Sequence, residues 1–170
     1  MDPKSFKLRT DPDPLLQQKL EDLDLTQDYD LPLIEQTMIS IMKESFGIGI
    51  AANQVGFDKR VIVIQPKGEE PFAMFNPKVI QMDGEEQTVE EGCLSFPGLF
   101  IPVKRFQNIQ VEYVDKDKKS CIMSFSGYDS KCVQHELDHL DGICFVSKVS
   151  QLKLAMAKKK QRKYNYGRTK

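Results

Sequence analysis

From residue 31 onward, apolar side chains recur at helical spacing. Leu33, Ile34, Met38, Ile41, Met42 and Phe46 follow one another at intervals that keep them on one side, which predicts a helix over residues 31–46 with that side toward a core. Pro32 suits the first turn of such a helix and Gly47 its end. A shorter helix is expected over residues 12–20. The period then changes. GIGIAANQVG reads as a loop rich in small residues, and RVIVIQ after it as a short apolar strand. Residues 72–82 read as further strand, broken by Asn76-Pro77. Residues 108–114 and 121–125 flank DKDKK and predict a hairpin. After Gly127 the pattern is helical to about His139, where Gly142 can close it, and a last helix begins near Val149. No repeat or linker interrupts the chain. The elements predict an α+β fold, with mixed or antiparallel sheets packed around the helix at 127–139. Residues 1–150 form one domain and residues 151–170 a helical extension.

Charge divides along the same line. The 170 residues carry a net charge of −1, yet from Lys153 onward there are eight Lys or Arg and no acid. A near-neutral total argues against a chain that lives wholly on nucleic acid, while a basic tail on an acidic body suits contact with ribosomal RNA or another acidic partner. The opening MDPKSFKLRTDPDP has acids and prolines where a secretory signal needs an apolar core, and no apolar run is long enough to span a bilayer. A soluble, cytoplasmic protein is expected, acting as a monomer; an organelle protein stripped of its transit segment, or one made in a virus-infected cell, would read the same. Cysteines 93, 121, 132 and 144 form no CxxC pair, and in a reducing compartment they are core thiols or metal ligands rather than a disulfide frame.

Both histidines of the chain lie in CVQHELDHLDG. On a helix, His135 and His139 at i and i+4 share a face and can hold one cation, with Glu136 beside them to handle a proton. Two histidines placed at random fall four apart about 1% of the time, and a following Glu lowers that to roughly one in a thousand. A catalytic centre of this kind needs a third protein ligand and one open position. The protease completions fail: no Asp or Glu follows Asp141, and Phe145 stands where a third His would come. By spacing alone the third ligand is open among the four cysteines or other upstream residues. Cys93 is set apart by its turn, EEGCLSFPG, which can swing a thiolate toward a helix.

The stretches GIGIAANQ, EGCLS and QHELDH, in this order and at these separations, resemble the three signature motifs of peptide deformylases. LRTDPDPLL, RVIVI and FNPKVI resemble that family's flanking segments, so the likeness runs to about residue 150. The resemblance implies a metal held by Cys93, His135 and His139, natively ferrous iron, with zinc, nickel or cobalt able to substitute. It implies hydrolysis of the N-formyl group of formyl-methionyl peptides, with Glu136 as general base and then acid, and with Gln54 and the Leu94 N–H stabilising the oxyanion. Glu91 and Arg105 resemble the pair that braces the cysteine turn, and Asp138 joins them as a further bracing candidate. GIGIAANQ is no phosphate loop, since it follows a helix and precedes a strand. Its glycines allow an extended peptide to pair alongside Ile48 and Gly49, while Tyr128 and Cys132 would line the methionine pocket. Two departures stand out. Asp129 and Lys131 make the edge of that pocket more polar than in the family, and Asn53 stands where many relatives have proline. The competing readings are a metal-dependent amidase for another N-acyl peptide and a metal-stabilised module that docks on the ribosome without catalysis.

Overall fold

A computed structural model describes residues 2–168, with side chains through Arg162. The first long helix, α1 (Leu31–Glu44), starts where expected. Asp30 accepts the Leu33 N–H at 3.0 Å and Pro32 sits in the first turn, an arrangement that satisfies a free N-terminal donor. Leu31, Ile34, Met38 and Met42 form its buried face. Its end differs from the expectation. The left-handed residue is Phe46 (φ 58°), whose N–H reaches the Lys43 carbonyl while Gly47 N–H reaches that of Met42. This is a Schellman closure with a phenylalanine in the place that favours glycine. Phe46 lies outside the apolar face and is 96% exposed.

The helix expected over 12–20 is a single 3-10 turn, Pro14–Gln17, capped by Asp13. Tertiary pairing competes for the backbone beyond it: Lys19 bridges Asp141, and Leu20 N–H donates to the Leu140 carbonyl. The small-residue loop contains a strand, β1 (Gly49–Ala51), followed by a 3-10 turn at Ala52–Val55. The remaining strands are β2 (Val61–Ile64), β3 (Phe72–Cys93), β4 (Phe96–Val114) and β5 (Ser120–Ser126). They form one antiparallel sheet in the order β1-β2-β3-β4-β5. Every neighbour in it is a chain neighbour, so each strand returns beside the last.

Asn76-Pro77 does not break β3. It makes a bulge, where the register to β4 shifts between Phe75 and Lys78. Asn76 adopts φ 52°, and its side-chain amide both accepts the Leu23 N–H (2.7 Å) and donates to the Leu23 carbonyl (2.8 Å). Beyond Met82 the strand is solvent-exposed through Thr88. A polar two-stranded ribbon of this kind has no apolar alternation to announce it. On β4, Ile101, Val103 and Arg105 alternate inward, a pattern that Pro97 and Pro102 disguise as loop.

The second helix, α2 (Gly127–Leu140), buries nine of its fourteen residues, five of them with titratable or amide side chains: Lys131, Gln134, His135, Glu136 and His139. Burying so many polar groups is costly unless each finds a partner. Gln134 finds one on β4, accepting the Phe106 N–H and donating to the Phe106 carbonyl. Val133, Leu137 and Leu140 face the main core. A smaller apolar cluster of Leu16, Phe96, Leu99, Ile101, Val103, Cys144 and Phe145 lies under the turn that carries Cys93. The third helix, α3 (Gln151–Arg168), packs Leu154 and Ala157 on it.

Asn76→Ala removes both bonds to Leu23 and leaves a non-glycine residue at positive φ. Urea unfolding is expected to show a loss of about 2–3 kcal/mol with an unchanged m-value.

Candidate active site

The inward face of α2 meets the ends of β1 and β3. One ligand atom each from Cys93, His135 and His139 lies within 4.8 Å of the others, and the Cys93 sulfur is 3.2 Å from His139 Nε2. The other cysteines are elsewhere. Cys132 Sγ sits beside the Ile48 carbonyl, Cys144 Sγ beside that of Leu16, and Cys121 lies on β5. The closure of the β3–β4 ribbon brings residue 93 to the histidines across more than forty positions of chain.

Behind this trio lies a buried chain of charges. Arg105 donates through Nε to Glu91 Oε1 (2.7 Å) and through Nη2 to Oε2 (2.9 Å), and its Nη1 donates to Asp138. Lys148 adds a second cation to Asp138 at 2.9 Å. The remaining capacity of Glu91 Oε2 accepts from His135 Nδ1 at 3.0 Å. That bond fixes the ring with Nδ1 on the carboxylate and leaves Nε2 to face the trio, the orientation a metal-ligating histidine needs. Burial works against the Glu91 charge, but the bonds from His135 and Arg105 outweigh it and bring its pKa to about 2. Burial likewise opposes charge on His135, yet neighbouring Cys93, Glu91 and Glu136 carry it up to about 10. His139, buried and facing the positive charges of His135 and Arg105, is held well below the usual range.

Glu136 follows His135 and points to the other side of the trio. Burial is the main reason its pKa rises to about 7, with the Glu91 and Asp138 charges adding to it. Its Oε2 has no hydrogen-bond partner among the described residues. Its Oε1 lies where a Cβ on Gly49 would stand, 2.5 Å from that position, with Cys132 Sγ at 2.8 Å. A Cβ at residue 49 would therefore force the carboxylate and the Cys132 sulfur to shift, so the glycine makes room for them in addition to any bond with a peptide. Gln54 is 1% exposed and fixed on both ends of its amide. Its carbonyl accepts the Ala51 N–H at 2.8 Å, while its NH2 reaches Ser95 Oγ (3.0 Å) and Cys93 Sγ (3.4 Å).

These groups lie at the floor of a cleft of about 690 Å³. Ile48, Gly49, Leu94, Tyr128 and Cys132 line it. Burial pushes the Cys132 thiol well up, so it presents a neutral apolar wall. The two polar residues noted before QHE behave differently. Asp129 is turned away and accepts the Lys67 N–H. Lys131 points into the wall at 8% exposure, its stem lining the cleft and its Nζ bonded to Gln87 Oε1 at 2.9 Å. A long side chain can in this way offer methylenes to a pocket while its charge reaches a polar partner. Asn53 donates to the His139 carbonyl at 2.6 Å and so ties the Gln54 turn to α2. Sequence reasoning passed over Ser95 and Gln134. Ser95 lies within EGCLS, but no spacing reveals that its hydroxyl meets Gln54.

The donor set suits a metal. Sulfur and two imidazoles, one of them neutral and the other oriented by a carboxylate, form a mixed set for a borderline-soft divalent cation. The electronegative surroundings that hold a proton on His135 would equally favour a cation. The comparisons with known proteins agree with this geometry. The family profile described as Polypeptide deformylase matches residues 5–155. The peptide deformylase of Rhizobium meliloti (strain 1021) is 40% identical over 149 residues, covering 85% of each chain. Among solved structures, a peptide deformylase from Synechococcus elongatus in complex with actinonin superposes with a TM-score of 0.85 at 33% identity, over 92% of this chain and 87% of that one. The enzyme from Legionella pneumophila gives a TM-score of 0.85 at 31% identity, over 96% and 97%. Sequence, fold and the convergence of Cys93, His135 and His139 all lead to one assignment: this chain belongs to the polypeptide deformylase family.

Proposed function

We propose that the chain removes the formyl group from the N-terminal formyl-methionine of nascent polypeptides, releasing formate. The observation that carries this reading is the trio of Cys93, His135 and His139 beside a buried Glu136 whose Oε2 is unpartnered. Ferrous iron is the metal we assign to the trio by family resemblance, with zinc, nickel or cobalt as substitutes; a divalent cation there supplies Lewis acidity and lowers the pKa of water toward neutrality.

Each side chain then has a task. Glu136, with a pKa near 7, takes a proton from the attacking water and hands it to the amide nitrogen as the C–N bond breaks. The formyl oxygen, negative in the tetrahedral intermediate, receives donors from the Gln54 amide and the Leu94 N–H. The Ala51 N–H fixes which end of Gln54 faces the reaction, and the NH2 turns its weaker bond, the 3.4 Å contact to Cys93 Sγ, toward the developing charge. Arg105, Glu91 and Asp138 position His135 and the Cys93 turn. The peptide enters as an added strand. Bonds to β2 come from alternate residues of β1, and the Ile48 carbonyl accepts the Gln65 N–H. Gly49 therefore directs its N–H and C=O outward to the cleft. The methionine side chain lies against Tyr128, Cys132 and the stem of Lys131.

The chain acts where formylated proteins are made, in the cytoplasm, and α3 is proposed to contact ribosomal RNA there. Lys158, Lys159 and Arg162 are exposed on it; the expectation for Lys163, Arg168 and Lys170 falls outside the described side chains. We also propose that the working unit is a single chain. Among the described residues no helix is long and apolar enough to cross a membrane.

Loaded anaerobically with Fe(II), or with Ni(II), the protein is expected to release formate from a formyl-Met peptide. Glu136→Gln should lower kcat by roughly 10²–10⁴-fold while still binding one metal ion per chain. Turnover of the acetyl peptide at a similar rate would favour the general amidase instead, and a Glu136→Gln protein indistinguishable from wild type would favour the non-catalytic module. Gly49→Ala is expected to displace Glu136 and cost about 10²-fold or more in kcat/KM, since a misplacement of about 1 Å has that effect. Replacing Lys158, Lys159 and Arg162 by Glu, a change that spares the packed Leu154 and Ala157, should weaken ribosome co-sedimentation and flatten its dependence on salt.

A further inference from the structure

Phe46 combines two unfavourable features. It is a bulky residue in the left-handed backbone region (φ 58°), where glycine is at ease, and it is 96% exposed. Nothing in the packing of the free protein accounts for either. Its ring gains no burial, and the Schellman closure of α1 would form as well or better with glycine at this position. A strained residue of this sort persists where function requires the side chain.

Its location supplies the function. Phe46 lines the mouth of the same cleft whose floor holds Cys93 and Glu136. Phe100, 53% exposed on β4, and Ile48, 41% exposed, line that cleft too. From Gly49 the chain leads back through Ile48 and Gly47 to Phe46. A peptide paired with Gly49 advances about 3.3 Å per residue, so its first residues beyond the methionine pass this apolar rim. Gly47 cannot serve the same purpose, because a Cβ there would stand 2.7 Å from Leu94 Cδ1.

We infer that Phe46 is a specificity-determining residue, receiving an apolar side chain at the second or third position of the formyl peptide; the inference rests on the deformylase reading above. Three substrates test it: formyl-Met-Ala-Ser and the same peptide with leucine at the second or at the third position. Wild type is expected to prefer one leucine peptide by about tenfold in kcat/KM, chiefly through KM, the size expected when a leucine side chain is partly buried. In Phe46→Gly that ratio should collapse toward one while the thermal midpoint holds or rises, and Phe46→Tyr should retain the preference. Equal turnover of the three peptides by wild type overturns the inference, as does a preference that survives in Phe46→Gly. A lowered midpoint in Phe46→Gly also overturns it, by making Phe46 a packing residue. Self-association of wild type that Phe46→Gly abolishes, with peptide preference intact, would assign the ring to a contact between copies instead. Failure of wild type to process any of the three peptides would reject the deformylase reading itself.

Discussion

The buried guanidinium of Arg105 holds the centre of this molecule together. At 3% exposure it has carboxylates on both sides, Glu91 through two parallel bonds and Asp138 through a third. A cation so far from water is tolerable only with such partners, and removal of one member of a buried pair typically costs about 3–5 kcal/mol. The three residues belong to three elements, β3, β4 and α2. The requirement to neutralise Arg105 therefore fixes how the sheet ribbon lies against the helix. The lone-pair direction of His135 follows from the same network, because Glu91 bonds its Nδ1. The position of Cys93 follows too, two residues beyond Glu91 at the end of β3.

The glycine-containing segment after α1 is a second constraint, and its meaning changes once the structure is considered. A sequence such as GIGIAANQ suggests backbone flexibility. In the fold it is an edge strand and a tight turn, largely buried. Gly49 is small because Glu136 Oε1 and Cys132 Sγ occupy the space of its side chain. Asn53 and Gln54 carry amides into the same region, one bonded to the His139 carbonyl and the other to Ser95 and Cys93. The segment thus connects the sulfur, the histidine helix and the Glu136 carboxylate. These bonds offset much of the cost of burying two amides in an apolar loop, with Asn53 Oδ1 left without a partner among the described residues.

Lys131 shows how a charged residue enters such a site without disrupting it. Its stem replaces apolar wall, and its ammonium is bonded to Gln87 on the polar ribbon. The extended part of β3, which has little core to bury, gives that ammonium its partner. This part of the sheet and the helix are thereby linked at both ends, through Glu91–His135 near the trio and Gln87–Lys131 toward the outside.

The sequence by itself determined the elements whose periodicity is local: α1, the apolar strand β2, the β4–β5 hairpin and α2 with its two histidines. It also determined, through the order of three motifs, the family and the residues to consider. Local signals of this kind are legible because a helix face or an alternating strand is a property of neighbouring residues. The structure alone decided what depends on distant partners. Pro14–Gln17 is a mere turn because Leu20 and Lys19 pair with the end of α2. The outer half of β3 is strand because β4 lies beside it, although no apolar pattern announces it. Ser95 meets Gln54, Asp129 turns out and Lys131 in, and Phe46 leaves the helix face on which its spacing placed it. Each of these outcomes depends on which groups are brought into contact by chain closure, and the energy of such a contact is written in neither of its two sequence positions alone.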